Sequence, residues 1–253
     1  MTDNPVIATF RFYEELNDFL PPARRKRDHT CSCARAATVK HMIEALGVPH
    51  TEVELILVNG VSVGFDHRLE GGDRVAVYPM FETLDVTPLS RLREHPLRRI
   101  RFVADAHLGG LARLLRLAGF DTLYDNHIHD DQVVTLSLGD RRIVLTRDVE
   151  LLKRRDVTHG CYVHARKSEQ QFQEIFARLD LVRGAKPFSL CLECNAPLRP
   201  VPKAQVLDRL PPRVRERQER FVTCDVCERV FWQGSHWVRM RGMLEGVGVG
   251  SGS

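Results

Sequence analysis

The chain has 253 residues, long enough for two domains or for one domain with small modules. Hydrophobic residues make up 43% and charged residues 28%, the balance of a globular chain and not of a disordered or fibrous one. The formal charge of +4 is only mildly basic, so charge alone does not argue for a nucleic-acid partner. Only six of the 37 basic residues are Lys; Arg suits phosphate binding, but a genome-wide Arg bias explains the excess at least as well. Met1–Asn4 is polar, no apolar signal region follows, and no apolar run approaches the roughly 18 residues of a membrane span. A cytoplasmic protein with no membrane contact is expected.

Residues 5–82 read as the first unit. VIATFRFYEEL alternates enough to begin as a strand, and RRKR and CSC then fall in a polar loop. ATVKHMIEALG is a helix, with Thr38 as N-cap and Gly47 as its stop. ELILV-NG-VSV is a hairpin, because Asn59-Gly60 suits a type I′ turn. LEGGDRVAVYP adds a turn and a last strand. This order resembles a ubiquitin-like β-grasp domain, and VNGVSVGFDHRLEGGDRVAVYP resembles the small sulfur carriers of that superfamily. Those carriers act through a C-terminal Gly-Gly. Here Gly71-Gly72 precedes the last strand and the chain runs on, so carrier chemistry is not expected. An interaction role, docking RNA or a protein, is the better expectation; a purely structural appendage is the plainer one.

Residues 83–98 read as a linker punctuated by Pro88 and Pro96. Residues 99–183 read as an α/β unit. Strand RIRFVA leads to a helix from about Leu108 to Ala118, ended by Gly119, with Leu108, Leu111, Ala112, Leu115 and Ala118 on one face. FDTLYD is a short strand, DDQVVTLSL a helix, RRIVLT and GCYVHA further strands. Ser168 is expected to cap SEQQFQEIFARLDL, with Gln171 at the capping-box position. Strands alternating with helices imply a parallel sheet. Residues 187–237 carry two C-x-x-C pairs, and 238–253 is expected to be a flexible Gly-rich tail.

Asp105, Asp125 and Asp148 each follow a strand-like run, and Asp130-Asp131 opens the helix after the second strand. Asp is a favoured helix N-cap, so each acid alone reads most simply as a cap. Together they differ, because a parallel sheet gathers the C-terminal ends of its strands on one edge. Such a carboxylate group repels itself unless a cation sits in it, and an all-oxygen site suits Mg²⁺ or Mn²⁺. His107, His127 and His129 lie nearby; a His-containing metal site is conceivable, and loop histidines on polar surface are the plainer reading.

The run FVADAHLGGLARLLRLAGFDTLYD, then DDQVV, IVLTRDVELL, the Cys pairs and WQGSHW resemble the Mut-seven C-terminal ribonuclease family, a branch of the PIN-like nucleases with a zinc ribbon appended. Some members carry an N-terminal ubiquitin-like domain, so the resemblance spans nearly the whole chain. It implies a PIN-like, metal-dependent ribonuclease. By position, Asp105 matches the acid after the first strand, Asp130 the acid opening the helix after the second, and Asp148 the acid of the TRD motif. Asp131 is not separated from Asp130, and Asp125 is an additional, weaker candidate. Metal-activated water would hydrolyse the phosphodiester. Arg113 and Arg116, on the helix after Asp105, and Arg147 and Lys153, around Asp148, are candidates to grip flanking phosphates, with a solvated charged face as the alternative.

Cys191-x-x-Cys194 and Cys224-x-x-Cys227, 29 residues apart, suit a tetrahedral Cys₄ zinc site. With no open position such a site is structural. Between the pairs lie Arg213, Arg215, Arg217 and Arg220, and Phe231, Trp232 and Trp237 either stack bases or fill the ribbon's core, the latter favoured for Trp232. Cys31, Cys33 and Cys161 read as ordinary thiols. The leading expectation is a Mg²⁺- or Mn²⁺-dependent ribonuclease acting on tRNA or other RNA, structured or single-stranded. The rival is a non-catalytic RNA- or protein-binding adaptor, in which the acids are caps and the ribbon and β-grasp domain do the binding.

Overall fold

The structure is a computed structural model and describes residues 5–34, 36–79 and 100–250. The expected linker, 83–98, lies outside the described residues. The N-terminal part starts with β1 (Val6–Phe12), whose alternation buries Ala8, Phe10 and Phe12. β2 (His29–Cys33) pairs antiparallel with it, Val6 opposite Cys33. Cys31 and Cys33 therefore lie in a strand and not in the expected polar loop. Thr30 and Ser32 face out while Cys33 is buried, a period-2 pattern too short and too polar to stand out in sequence.

α1 (Val39–Ala45) is capped as expected: Thr38 Oγ1 accepts from the His41 N–H at 3.3 Å. Gly47, at φ +114°, ends it. β3 (Leu55–Val58) and β4 (Val61–Ser62) form the hairpin, with Asn59 and Gly60 both left-handed at φ 51° and 84°. β5 (Arg74–Tyr78) runs parallel to β1 and antiparallel to β3, giving the order β2-β1-β5-β3-β4. Phe10, Leu16, Ile43, Ile56 and Val77 fill the core beneath this β-grasp sheet.

The α/β part begins with β6 (Phe102–Ala104), α2 (Gly109–Leu117), β7 (Thr122–Tyr124), α3 (Asp130–Asp140) and β8 (Ile143–Thr146). β6 lies between β7 and β8 and runs parallel to both; Phe102 sits opposite Thr122 and Ile143. α4 (Val149–Lys153), β9 (Gly160–Tyr162) and α5 (Ser168–Arg178) follow. The paired glycines that open α2 have a steric reason. A Cβ on Gly109 would lie 2.6 Å from the Tyr124 hydroxyl, and one on Gly110 would lie 2.0 Å from Ser168 Oγ. They let α2 settle against β7 and α5. Ser168 does not cap α5 as expected. Lys167 is the N-cap residue, without a side-chain bond, and Gln171 Nε2 donates to the Ala165 carbonyl. Ser168 is instead the first helical residue, packed against Gly110.

The ribbon comprises β10 (Leu198–Val201), α6 (Lys203–Val206), α7 (Pro212–Arg217), β11 (Phe221–Cys224) and β12 (Val230–Trp232), an antiparallel sheet in the order β10-β11-β12. Val201, Val206, Leu210 and Phe221 form its small core, and Trp232 packs against them. The expected flexible tail is corrected in part: α8 (Ser235–Glu245) occupies much of 238–253. Trp237 fixes it by stacking on Phe188 at 5.2 Å, a long-range contact that outweighs the glycines.

The chain divides into two compact units, residues 1–98 with 146–162, and residues 99–145 with 163–253. The segment that carries α4 and β9, expected within the 99–183 domain, thus groups with the β-grasp residues. Among the described residues no helix is long and apolar enough to cross a membrane.

Candidate functional site

Asp105 ends β6 at the carboxyl edge of the central parallel strand. It is 9% exposed, its N–H donates to the Leu145 carbonyl at 3.0 Å, and its carbonyl accepts from Leu108. It occupies the N-cap position of a short turn, Ala106–Leu108, but its carboxylate makes no cap bond there. A buried carboxylate that does not cap is the unusual acid of the set. Asp130 and Asp131 are exposed in the first turn of α3, where they favour the helix dipole. The N-cap is His129, whose N–H donates to Gln132 Oε1 at 2.9 Å. Asp125 is exposed and closes a local turn, Oδ1 accepting from His127 N–H at 2.7 Å.

Asp148, in the other unit, is exposed and does cap α4: Oδ1 accepts from the N–H of Glu150 at 2.7 Å, and its own N–H donates to Thr146 Oγ1 at 2.9 Å. Among the described residues, the acids are not gathered into a group of three or more ligand atoms within 4.8 Å of one another.

Of the expected phosphate contacts, Arg113 is exposed and pairs with Glu193. Lys153 pairs with Glu150 at 2.9 Å, and Arg147 is half-buried. Arg116 must be removed from that set. It is 4% exposed, and its guanidinium donates to the carbonyls of Thr122 at 2.9 Å, Leu192 at 3.1 Å and Glu193 at 2.7 Å. Burial pulls its pKa below the ordinary value, partly offset by Cys191, Cys194 and Glu193. Arg116 ties α2 to the first cysteine turn, and its burial there sets it apart from the exposed cations.

The four cysteines do converge. Cys191, Cys194, Cys224 and Cys227 bring their sulfurs within 4.8 Å of one another, with Cys191–Cys227 at 3.5 Å and Cys194–Cys224 at 3.3 Å. Zn–S bonds of about 2.3 Å require tetrahedral edges of roughly 3.8 Å, so the donor set fits a structural metal such as zinc. Burial pushes the Cys191 thiol up to about 12, against the turn N–H groups of Cys194 and Glu193. Burial also opposes ionisation of Cys224, but the N–H groups of Cys227 and Val226 and the neighbouring thiols bring it down to about 7. Cys31 stands apart; burial, then Cys33, raise it to about 11, an inert thiol.

A second network, invisible in the sequence, anchors the first knuckle. Asn195 Nδ2 donates to Asp121 Oδ1 at 2.6 Å, and Asn195 Oδ1 accepts from Thr122 N–H at 3.0 Å. Buried Arg142 holds the same Asp121 carboxylate at 2.8 and 3.0 Å. Beside the ribbon lies a cavity of about 540 Å³. Phe188, Phe231, Trp232, Trp237, Met240 and Arg220 line part of it.

The Mut7-C RNAse domain profile matches residues 100–244, and the Mut7-C ubiquitin profile matches residues 5–85. The chain belongs to the Mut7-C RNAse domain family. The Mut7-C match runs through the ribbon and α8 as far as residue 244. No curated protein matches. Two crystal structures of small archaeal modifier protein 1 from Haloferax volcanii align with 29% of the chain at 17% identity. They are covered over 97% and 93% of their own lengths, each with a TM-score of 0.24.

Proposed function

We propose that this Mut7-C protein is a divalent-metal-dependent ribonuclease of the PIN-like type. The observation that carries the reading is Asp105: a carboxylate buried at the carboxyl end of the central parallel strand. Asp105, Asp130 and Asp148 are the proposed ligands, with Asp131 beside Asp130 and Asp125 as an auxiliary. An all-oxygen donor set of this kind fits Mg²⁺ or Mn²⁺. When bound, the metal would acidify a water and neutralise charge developing on the phosphate.

The chain's own cations would hold the RNA. Arg113, Arg147 and Lys153 are proposed for the phosphates; the Arg113–Glu193 and Lys153–Glu150 ion pairs are ones that a phosphate can displace at little cost. Arg213, Arg217 and Arg220 are exposed on and just after α7. Arg215 is excluded, because its Nε donates to the Leu210 carbonyl at 2.8 Å. The aromatic cavity beside Arg220 suits unstacked bases, so single-stranded stretches, including those of tRNA, are the proposed substrate. Zn²⁺ is the proposed metal of the Cys₄ set, and its reduced thiols fit a cytoplasmic protein.

End-labelled tRNA and unstructured RNA are to be incubated with Mn²⁺, Mg²⁺ or EDTA. Cleavage is expected with either metal, abolished by EDTA and reduced by roughly a thousandfold or more in Asp105→Asn and Asp148→Asn. Unchanged cleavage in both variants, or none by the wild type, would leave the adaptor reading, in which Asp148 only caps α4.

A further inference from the structure

The short turn His50–Glu52 of the β-grasp domain is odd for a surface loop. Three successive polar residues, His50, Thr51 and Glu52, are only 6%, 4% and 3% exposed. Buried polar residues have partners. Here His50 and Glu52 each have a partner in the segment 146–162, within the same compact unit.

Glu52 Oε1 accepts from the Tyr162 N–H at 2.6 Å. His50 Nε2 lies 2.9 Å from the Val157 carbonyl, so this nitrogen carries the hydrogen, and Nδ1 lies 2.7 Å from Glu44 Oε1 on α1. Thr51 meets the segment at Gly160, where an added Cβ would lie 2.5 Å from Leu152 Cδ2 and 3.4 Å from Thr51 Cγ2. Phe19 sets its ring edge against Tyr162 at 5.1 Å. The contacts with the 146–162 segment join residues more than a hundred positions apart.

The segment held in this way begins with Thr146, Arg147 and Asp148. α4 has five residues, too few to hold its own conformation in water. Its buried Leu151 and Leu152 need a partner surface, and β9 returns the chain to Glu52. The place of Asp148, at the N-cap of α4, is therefore set from the β-grasp side.

We infer that the His50–Glu52 turn is a positioning element for Asp148, so that the ubiquitin-like domain holds one of the proposed metal ligands in place and is not a detachable docking module. The inference rests on the ribonuclease reading for its kinetic arm only. Glu52 and His50 touch neither metal nor RNA; they act through α4.

Full-length Glu52→Ala, Glu52→Gln and His50→Ala are to be compared with wild type in two measurements. Amide hydrogen exchange reads the clamp without any activity. Glu52→Ala is expected to speed exchange across 146–162 by about tenfold or more while the 99–145 amides keep their protection. Gln retains a carbonyl acceptor for the Tyr162 N–H, so Glu52→Gln is expected to stay near wild type. His50→Ala provides a second route if Glu52→Ala fails to fold. In single-turnover cleavage, Glu52→Ala is expected to lower the rate at saturating RNA by about ten- to a hundredfold, with the half-saturating RNA concentration nearly unchanged.

Wild-type exchange across 146–162 in both alanine variants would overturn the inference even if the protein cleaves RNA. Faster exchange with an unchanged cleavage rate would overturn it as well. A wild type that does not cleave but shows the expected exchange pattern would sink the ribonuclease reading and leave the clamp standing.

Discussion

The cysteine set and the acid set follow opposite plans. Two tight turns each deliver two sulfurs, so one strand pairing, β10 with β11, brings Cys191 and Cys194 to Cys224 and Cys227. The acids arrive singly, after β6, after β7 and after β8, and most hold a local post as well. Asp148 caps a helix, Asp125 closes a turn, and Asp130 opens α3. A thiol site built from local turns fits a folding device, in which a metal would supplement the ribbon's small hydrophobic core. In the proposed ribonuclease the carboxylates would serve function and not folding, and their like charges would resist assembly until a cation arrives.

Metal removal separates the two plans most sharply. Cys224→Ser is expected to lose the bound zinc and unfold the ribbon, since structural zinc contributes about 10–16 kcal/mol in small zinc domains. Zinc content and circular dichroism would show it. Brief EDTA treatment of the wild type should instead stop cleavage reversibly, with zinc retained. If Cys224→Ser keeps one equivalent of zinc and its melting temperature, the thiols are not the folding device described.

The tie between the ribbon and the α/β sheet offers the next test. Arg116→Met leaves three carbonyls without a donor and should cost about 3 kcal/mol in urea unfolding. Zinc release to a chelating dye should quicken, because Leu192 and Glu193 belong to the first knuckle. Arg116→Lys should recover little, since one ammonium cannot span the sites of a planar fork. Normal stability in Arg116→Met together with weakened RNA binding would return Arg116 to the phosphate-gripping role first expected of it.

The same contrast explains what could be read from the chain. The β-grasp order was legible because its markers are local: Thr38 as cap, Gly47 as stop, Asn59-Gly60 as turn. The Cys₄ set was legible because C-x-x-C spacing is itself the geometry. The carboxyl-edge placement of Asp105 followed from a short apolar run, FVA, leading into a helix. What escaped depends on contacts between distant positions. Nothing adjacent to Arg116 marks it as buried, because its partners are carbonyls near positions 122 and 192. Neither His50-Thr51-Glu52 nor Tyr162 carries a local signal that they meet. Trp237 and Phe188 hold α8 in a stretch whose glycines argue for a tail.

Asp121 gives the smallest expected effect and the finest test of how the knuckle is anchored. Burial alone would raise its pKa, but hydrogen bonds from Arg142 and Asn195 and the charges of Arg142 and Arg101 outweigh burial and hold it below the ordinary value. A carboxylate whose folded pKa is depressed adds stability above its unfolded pKa, near 3.9, and loses it as pH falls through the folded value. The side chain is 37% exposed, so screening limits the gain to about 1 kcal/mol or less. Wild type should therefore exceed Asp121→Asn in urea stability at pH 7, and the gap should shrink below about pH 4 as the wild-type carboxyl takes up its proton. Only the difference between the two proteins is informative, because other carboxylates titrate in the same range. A gap that is constant from pH 7 to pH 3 would mean that Arg142 and Asn195 read the shape of Asp121 and not its charge.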